Sequence, residues 1–258
     1  MFSLFINELG FILDQRNINF ALFADDLTLW KTDKKLKNLE KDLQIATNLI
    51  NDFFTQIGLK LNQKKCEYTI ITKKRKHQKI NITINSESLN FNKNPKILGI
   101  NLDQELNFKH HFKEIKQTLL SKINVIRILS NRSNNINSNY LLTIYKSLIL
   151  SKIQYSMLPF LITNPKTRKE LQVIQNRCLK IILNLPIRTN TLLTHNYLHI
   201  DLLDKRIKSL VSNYLIKAAF HNKTIKELLK NHSEKTYYIK QNQQSILDQY
   251  NIQTLQPN

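Results

Sequence analysis

Two adjacent carboxylates, Asp25 and Asp26, stand inside the run Asn19–Trp30 (NFALFADDLTLW), with apolar and aromatic residues on both sides. Phe, Leu, Thr and Trp favour a pleated surface and Asp tolerates turn geometry, so the run predicts two short β-strands joined by a tight turn. Neighbouring acids in an apolar setting repel each other and stay ionised cheaply only beside a cation. The pair is therefore a candidate divalent-metal site, with a solvated hairpin turn as the competing reading.

The segments around it can be read in order. Met1–Gly10 (MFSLFINELG) is apolar and helix-like. Between Lys34 and Ile57 the residues Leu36, Leu39, Leu43, Ala46, Ile50, Phe53 and Ile57 recur at steps of three and four, which predicts one amphipathic helix with a single buried stripe. Gly58 is placed to end it. Leu59–Asn62 and then Glu67–Ile71 read as a strand entered through a basic loop that carries Lys64 and Lys65. Lys73, Lys74, Arg75 and Lys76 form a dense positive run, which suits either a solvated loop or contacts to a phosphate backbone. Ile80–Ile84 should be a short strand, and Pro95–Leu102 (PKILGINL) a further strand with Gly99 in its middle.

Past residue 105 the pattern is helical: Phe108–Ser130, Asn139–Tyr155, Lys169–Leu185 stopped by Pro186, and one or two helices between Asp201 and Leu229. From Asn231 the Gln- and Asn-rich composition predicts a weakly ordered tail. The expected fold class is α+β, an antiparallel sheet with helices over 1–104 and an all-helical part over 105–230, followed by the tail at 231–258.

Composition narrows the function. Only 3 glycines occur in 258 residues, and no G-x-G-x-x-G or G-K-[ST] is present, which excludes dinucleotide fingerprints and phosphate loops. Lys and Arg total 39 against 19 acids, a formal charge of +20 that points to a polyanionic partner, most simply nucleic acid. A membrane surface fits less well, because no basic amphipathic helix with Trp anchors stands out. Cys66 and Cys178 lack a C-x-x-C partner and read as reduced, buried thiols of an intracellular protein. No signal peptide or apolar span of membrane length is visible. His195 and His199 have no acid or thiol at zinc-site spacing and read as structural or surface residues.

Taken in order, the Phe-Ala-Asp-Asp hairpin, the long helix, Gly-Leu-Lys-Leu-Asn with Lys65 beyond it, the basic loop and Lys-Ile-Leu-Gly-Ile-Asn-Leu-Asp resemble non-LTR (LINE-type) retrotransposon reverse transcriptases. Ile174–Ile182 (IQNRCLKII) is similar to a thumb-side segment of that family. The resemblance covers nearly all of the chain except the tail. It implies a polymerase palm over 1–104 and a helical thumb after it. Asp25 then looks like the principal carboxylate for catalytic Mg2+, and Asp26 its assistant. Lys65 resembles the lysine that protonates departing pyrophosphate, with a plain phosphate contact as the alternative. Leu98 and Gly99 resemble the primer grip, and Lys64, Lys73, Lys74, Arg75 and Lys76 are expected nucleic-acid contacts.

The implied partners are an RNA template, a DNA primer and deoxynucleotides, and the expected setting is intracellular, with the nucleus as a candidate compartment. An intron-encoded maturase shares the palm motif, but the helical run after 105 fits the LINE-type thumb better. The same resemblance implies a chain that opens in mid-palm, without fingers and without the strand that supplies a further aspartate. Two-metal nucleotidyl transfer needs that bridging carboxylate, so the chain alone is expected not to polymerise. A non-catalytic nucleic-acid-binding remnant is the alternative function.

Overall fold

Phe20 on one strand and Leu27 and Leu29 on the next turn towards a cluster of buried Leu9, Leu13, Ile18, Ala46, Ile50 and Phe53, and this packing builds the first part of the protein. The computed structural model describes residues 2–16, 18–74, 79–222 and 225–227. The chain divides into two compact units, Met1–Pro95 and Lys96–Asn258. The division falls ahead of the change to purely helical structure after residue 105.

In the first unit, helix α1 (Phe2–Gln15) leads into the hairpin β1 (Asn19–Phe23) and β2 (Asp26–Trp30), and helix α2 (Leu36–Gln56) closes over it. The expected first helix is longer than its apolar stretch suggested, and Gly10 lies in its interior. A Cβ on Gly10 would sit 3.1 Å from Cζ of Phe20, so the glycine is there to let the strand approach the helix. Helix α2 ends as expected. Gly58, with φ of 73°, donates to the Thr55 carbonyl at 3.1 Å, and Leu59 donates to the Phe54 carbonyl at 2.8 Å, a complete Schellman cap.

The rest of this unit departs from the expected sheet. Leu59–Asn62 forms no strand, a single 3-10 turn at Gln63–Lys65 lies in the expected basic loop, and only Glu67–Tyr68 (β3) is a strand within Glu67–Ile71. Strands β4 (Thr83–Ile84), β5 (Glu87–Ser88) and β6 (Asn90–Phe91) are equally short. Among the described residues there is no continuous antiparallel sheet. The ladders are separate pairs, β1–β2 and β4–β5 antiparallel but β3–β6 parallel. Side chains do the joining that a wider sheet would do. Gln44 on α2 accepts from the Thr83 amide at 2.8 Å and donates to the Thr83 carbonyl at 2.9 Å, taking the place of a neighbouring strand.

The second unit opens with a hairpin where one strand was expected: β7 (Lys96–Ile97) pairs with β8 (Ile100–Asn101) around Leu98 and Gly99. Helix α3 (Lys109–Leu129) follows, entered through a loop that Asp103 holds by accepting from the amides of Glu105, Asn107 and Lys109 at 3.2, 2.7 and 3.3 Å. The expected helix Asn139–Tyr155 is α4 (Ser138–Tyr145), a π-turn at Lys146–Leu150, and α5 (Ser151–Tyr155). Then come α6 (Met157–Ile162), α7 (Pro165–Ile182), α8 (Thr191–Leu198) and α9 (Leu203–His221). Their shared core includes Phe112, Leu119, Tyr145, Phe160, Leu171, Cys178 and Ile207.

Helix α7 begins earlier than expected because Asn164 caps it, accepting from the Thr167 amide at 2.8 Å, and Pro165 fills the first position, where no amide partner is needed. It also ends earlier. Asn184, with φ of 53°, makes a Schellman cap ahead of Pro186, with Leu185 donating to the Lys180 carbonyl at 2.9 Å. The expected tail at 231–258 lies outside the described residues. No helix among the described residues is long and apolar enough to cross a membrane.

Gly10→Val places two methyl groups and a Cβ where the Phe20 ring packs. We expect about 1–3 kcal/mol of destabilisation in urea unfolding, the scale of an overpacked core. A variant as stable as the parent would show that the helix–hairpin contact tolerates the added volume.

Candidate active site

The β1–β2 register pairs Phe20 with Leu29, Ala21 with Thr28, Leu22 with Leu27 and Phe23 with Asp26. Side chains alternate across a strand, so burying Phe20, Leu27 and Leu29 forces Asp26, Phe23, Thr28 and Trp30 onto the opposite face. Only Ala24 and Asp25 lie between the strands. Ala24 has φ of 53°, and a positive φ at the first loop residue matches the right-handed twist of a two-residue hairpin. Asp25 therefore sits at the tip and Asp26 at the first position of β2, both exposed, beside a Phe23 side chain that is 64% exposed. Neither carboxylate is neutralised by an ion pair with a described cation.

The donor set is short for magnesium. Mg2+ requires near-octahedral oxygen coordination, and the described residues hold no cluster of three or more His, Cys, Asp or Glu able to bind a metal. Asp25 and Asp26 can contribute part of a metal site and do not complete one.

Lys64 and Lys65 are exposed on the 3-10 turn Gln63–Lys65, which Gln63 anchors by donating to the Ile84 carbonyl at 3.2 Å. Lys73 and Lys74 are exposed in the following loop, and Arg75 and Lys76 lie outside the described residues. Cys66 and Cys178 are both free, as expected. Cys66 is only half-buried rather than buried, although burial still pushes its thiol up, while full burial pushes Cys178 up to about 12. His195 is structural: its Nδ1 donates to the Ile200 carbonyl at 2.8 Å and its Nε2 lies 2.9 Å from Asn176 Oδ1. His199 is an exposed residue at the end of α8.

Leu98 and Gly99 are the two loop residues of the β7–β8 hairpin, with φ of 46° and 79°. Positive φ at both positions is the signature of a type I′ turn, for which glycine is suited and leucine is not. The turn is held from outside. The Tyr155 hydroxyl donates to the Leu98 carbonyl at 2.5 Å. The Asn101 amide donates to Nδ1 of the buried His111 at 3.3 Å, so Nε2 carries the proton and donates to Ser156 Oγ at 2.8 Å. Asn101 Nδ2 donates to Glu114 Oε2 at 2.6 Å. Sequence reasoning singled out the turn but missed Tyr155, His111 and Ser156, which are distant in the chain and belong to no motif.

The frame is thus α+β, with an exposed acid pair at a hairpin tip in one unit and a braced type I′ turn in the other. The chain is similar to the RNA-directed DNA polymerase from mobile element jockey of Drosophila melanogaster, with 20% identity over 209 residues, or 81% of this chain. It spans 23% of that protein's length. This similarity supports a reverse-transcriptase-like relationship. No protein-family model matches the chain, and no solved structure matches it.

Burial holds His111 below the ordinary imidazole value; Lys152, Lys96 and His110 act in the same direction and Glu114 opposes them. The unfolded chain takes up this proton near pH 6.5, whereas the folded chain does so only at lower pH. Between those values the unfolded state binds more protons, so stability falls as pH drops below about 6.5. Replacing His111→Gln should flatten that part of the curve, read as a smaller difference in Tm between pH 7.5 and pH 5. An unchanged difference would show that His111 does not carry the effect.

Proposed function

We propose that this chain is part of a reverse transcriptase of a retrotransposon, an RNA-directed DNA polymerase that acts by nucleotidyl transfer on an RNA template and a DNA primer. The observation that carries the reading is the adjacent acid pair presented at the exposed tip of a hairpin whose other face packs, half-buried, on the apolar cluster. The sequence order of hairpin, helix and basic loops, together with the similarity to the jockey polymerase, supports it. On this reading residues 1–104, the β7–β8 hairpin included, are palm and the helices over 105–230 are thumb.

Asp25 and Asp26 would hold Mg2+ jointly with ligands from outside the described set. The bound metal would supply charge neutralisation at the phosphate oxygens of the incoming deoxynucleotide. Lys65 serves the departing pyrophosphate. Leu98 and Gly99 form the primer grip, and Lys64, Lys73, Lys74, Arg75 and Lys76 meet backbone phosphates. The setting is intracellular, at nuclear nucleic acid. The short donor set favours a second reading for the chain by itself, a nucleic-acid-binding fragment without catalysis.

Two measurements separate the outcomes. The chain should bind a primer–template duplex with an affinity that falls roughly a thousandfold between 50 and 200 mM salt, if about six phosphates are neutralised. Affinity that ignores salt would overturn both readings. The purified chain with Mg2+ and deoxynucleotides should leave the primer unextended. In a longer polymerase that contains this chain and extends primers, Asp25→Ala should abolish extension while leaving duplex affinity within about twofold. Extension surviving Asp25→Ala would remove the catalytic reading and leave the binding one.

A further inference from the structure

The brace on the Leu98–Gly99 turn has a second face. Tyr155 is the last residue of α5, and the hydrogen bond from its hydroxyl to the Leu98 carbonyl fixes the ring against the turn. Cε1 of the ring lies 3.7 Å from where a Cβ on Gly99 would be, so the bare glycine backbone and the ring form one continuous surface. A tyrosine that only pinned a turn would need its hydroxyl and could bury its ring. Here Tyr155 is 60% exposed as a residue, and the neighbouring Leu98 is 42% exposed. Leu98 also holds a positive φ of 46°, a conformation that a leucine resists, so its side chain is kept at the turn against local preference.

Positive charge flanks this apolar platform. Lys152 precedes Tyr155 by one helical turn on α5 and so lies on the same side, and Lys96 is the first residue of β7. Both are exposed, both lie close enough to His111 to depress its basicity, and neither forms an ion pair with a described carboxylate. His111 is in turn hydrogen-bonded to Ser156, the residue after Tyr155. Behind it, buried His111 links β8 to the end of α5 through its bonds to the Asn101 amide and the Ser156 hydroxyl.

We propose that Tyr155, Leu98 and Gly99, flanked by Lys96 and Lys152, form a stacking surface for a terminal or unpaired base of a nucleic-acid strand, with the two lysines on its phosphates. A fixed aromatic face beside unpaired cations is the combination that single-stranded nucleic acid uses, the ring taking any base and the charges taking the backbone. This rests on the proposed reading of the chain as nucleic-acid-binding and extends the primer-grip residues to Tyr155 on a different element.

The test uses the full chain and a duplex of RNA template and DNA primer with 5-iododeoxyuridine at the primer 3′ end. Irradiation should cross-link the primer to Tyr155, located by mass spectrometry. Tyr155→Ala should weaken duplex binding on the order of tenfold, the scale of one lost base–aromatic stack. Tyr155→Phe, which keeps the ring, should stay within about threefold and retain the cross-link. Lys96→Gln with Lys152→Gln should lower the log–log salt slope by about 2, one for each phosphate contact. A cross-link confined to other residues, or Tyr155→Ala binding like the parent, would overturn the proposal, and the parent's cross-link decides it even if Tyr155→Ala misfolds. Competition by polyglutamate as effective as by an oligonucleotide would also overturn it, pointing to an acidic protein surface. Failure of the parent chain to bind the duplex at low salt would sink the wider functional reading as well. Steep salt-dependent binding that ignores Tyr155 would sink this inference alone.

Discussion

The β1–β2 hairpin has one face to bury and one to spare. Phe20, Leu27 and Leu29 can leave water only by packing on the cluster of Leu9, Leu13, Ile18, Ala46, Ile50 and Phe53. Strand alternation then leaves no choice for the other face. Asp26 must project away from the core, and a two-residue connection puts Asp25 at the tip. A slip of one residue in the ladder would send the leucines to solvent and an ionised carboxylate towards apolar side chains, so the core that stabilises the hairpin also fixes where the acids stand. Gly10 serves the same packing by admitting the Phe20 ring.

Elsewhere the fold is held less by ladders than by single side chains that satisfy backbone groups. Gln44 completes the edge of β4, Asp103 gathers three amides before α3, and Tyr155 and His111 hold the β7–β8 hairpin. Strands of two residues contribute too few ladder bonds to define a loop on their own. The longer-range bonds therefore decide the position of the turns, and the turns carry the candidate functional residues. Net charge acts at a different level. A formal charge of +20 sets what the chain attracts and says nothing about its fold.

The strongly periodic parts were legible from sequence. The hairpin at Asn19–Trp30 follows from strand-favouring residues around the Asp-Asp turn, helix α2 from apolar spacing and its glycine stop, and helix α3 from its helical pattern. The misread parts share a physical cause, namely residues that mark turns in isolation and do something else in context. The helix expected from Lys169 starts earlier because Asn164 caps α7 and Pro165 opens it, and it stops earlier because Asn184 takes the left-handed position that glycine fills elsewhere. Leu98-Gly99 looked like the inside of a strand because its brace comes from Tyr155, and no local pattern announces a bond to a residue so far along the chain. Of the candidate site, the acid pair and the importance of Leu98 and Gly99 were visible in advance, while the turn they form and its partners Tyr155, His111 and Ser156 became visible only with the fold.

The proposed polymerase reading stands or falls with a divalent cation meeting this chain at the hairpin tip. Backbone amide resonances of the isotope-labelled chain, followed during a titration with Mn2+ in the presence of a primer–template duplex, test it most directly. Selective paramagnetic broadening centred on Ala24, Asp25 and Asp26, lost in Asp25→Asn with Asp26→Asn, is the expected result. Broadening centred elsewhere, with the hairpin tip as sharp as it was before the metal was added, would contradict it.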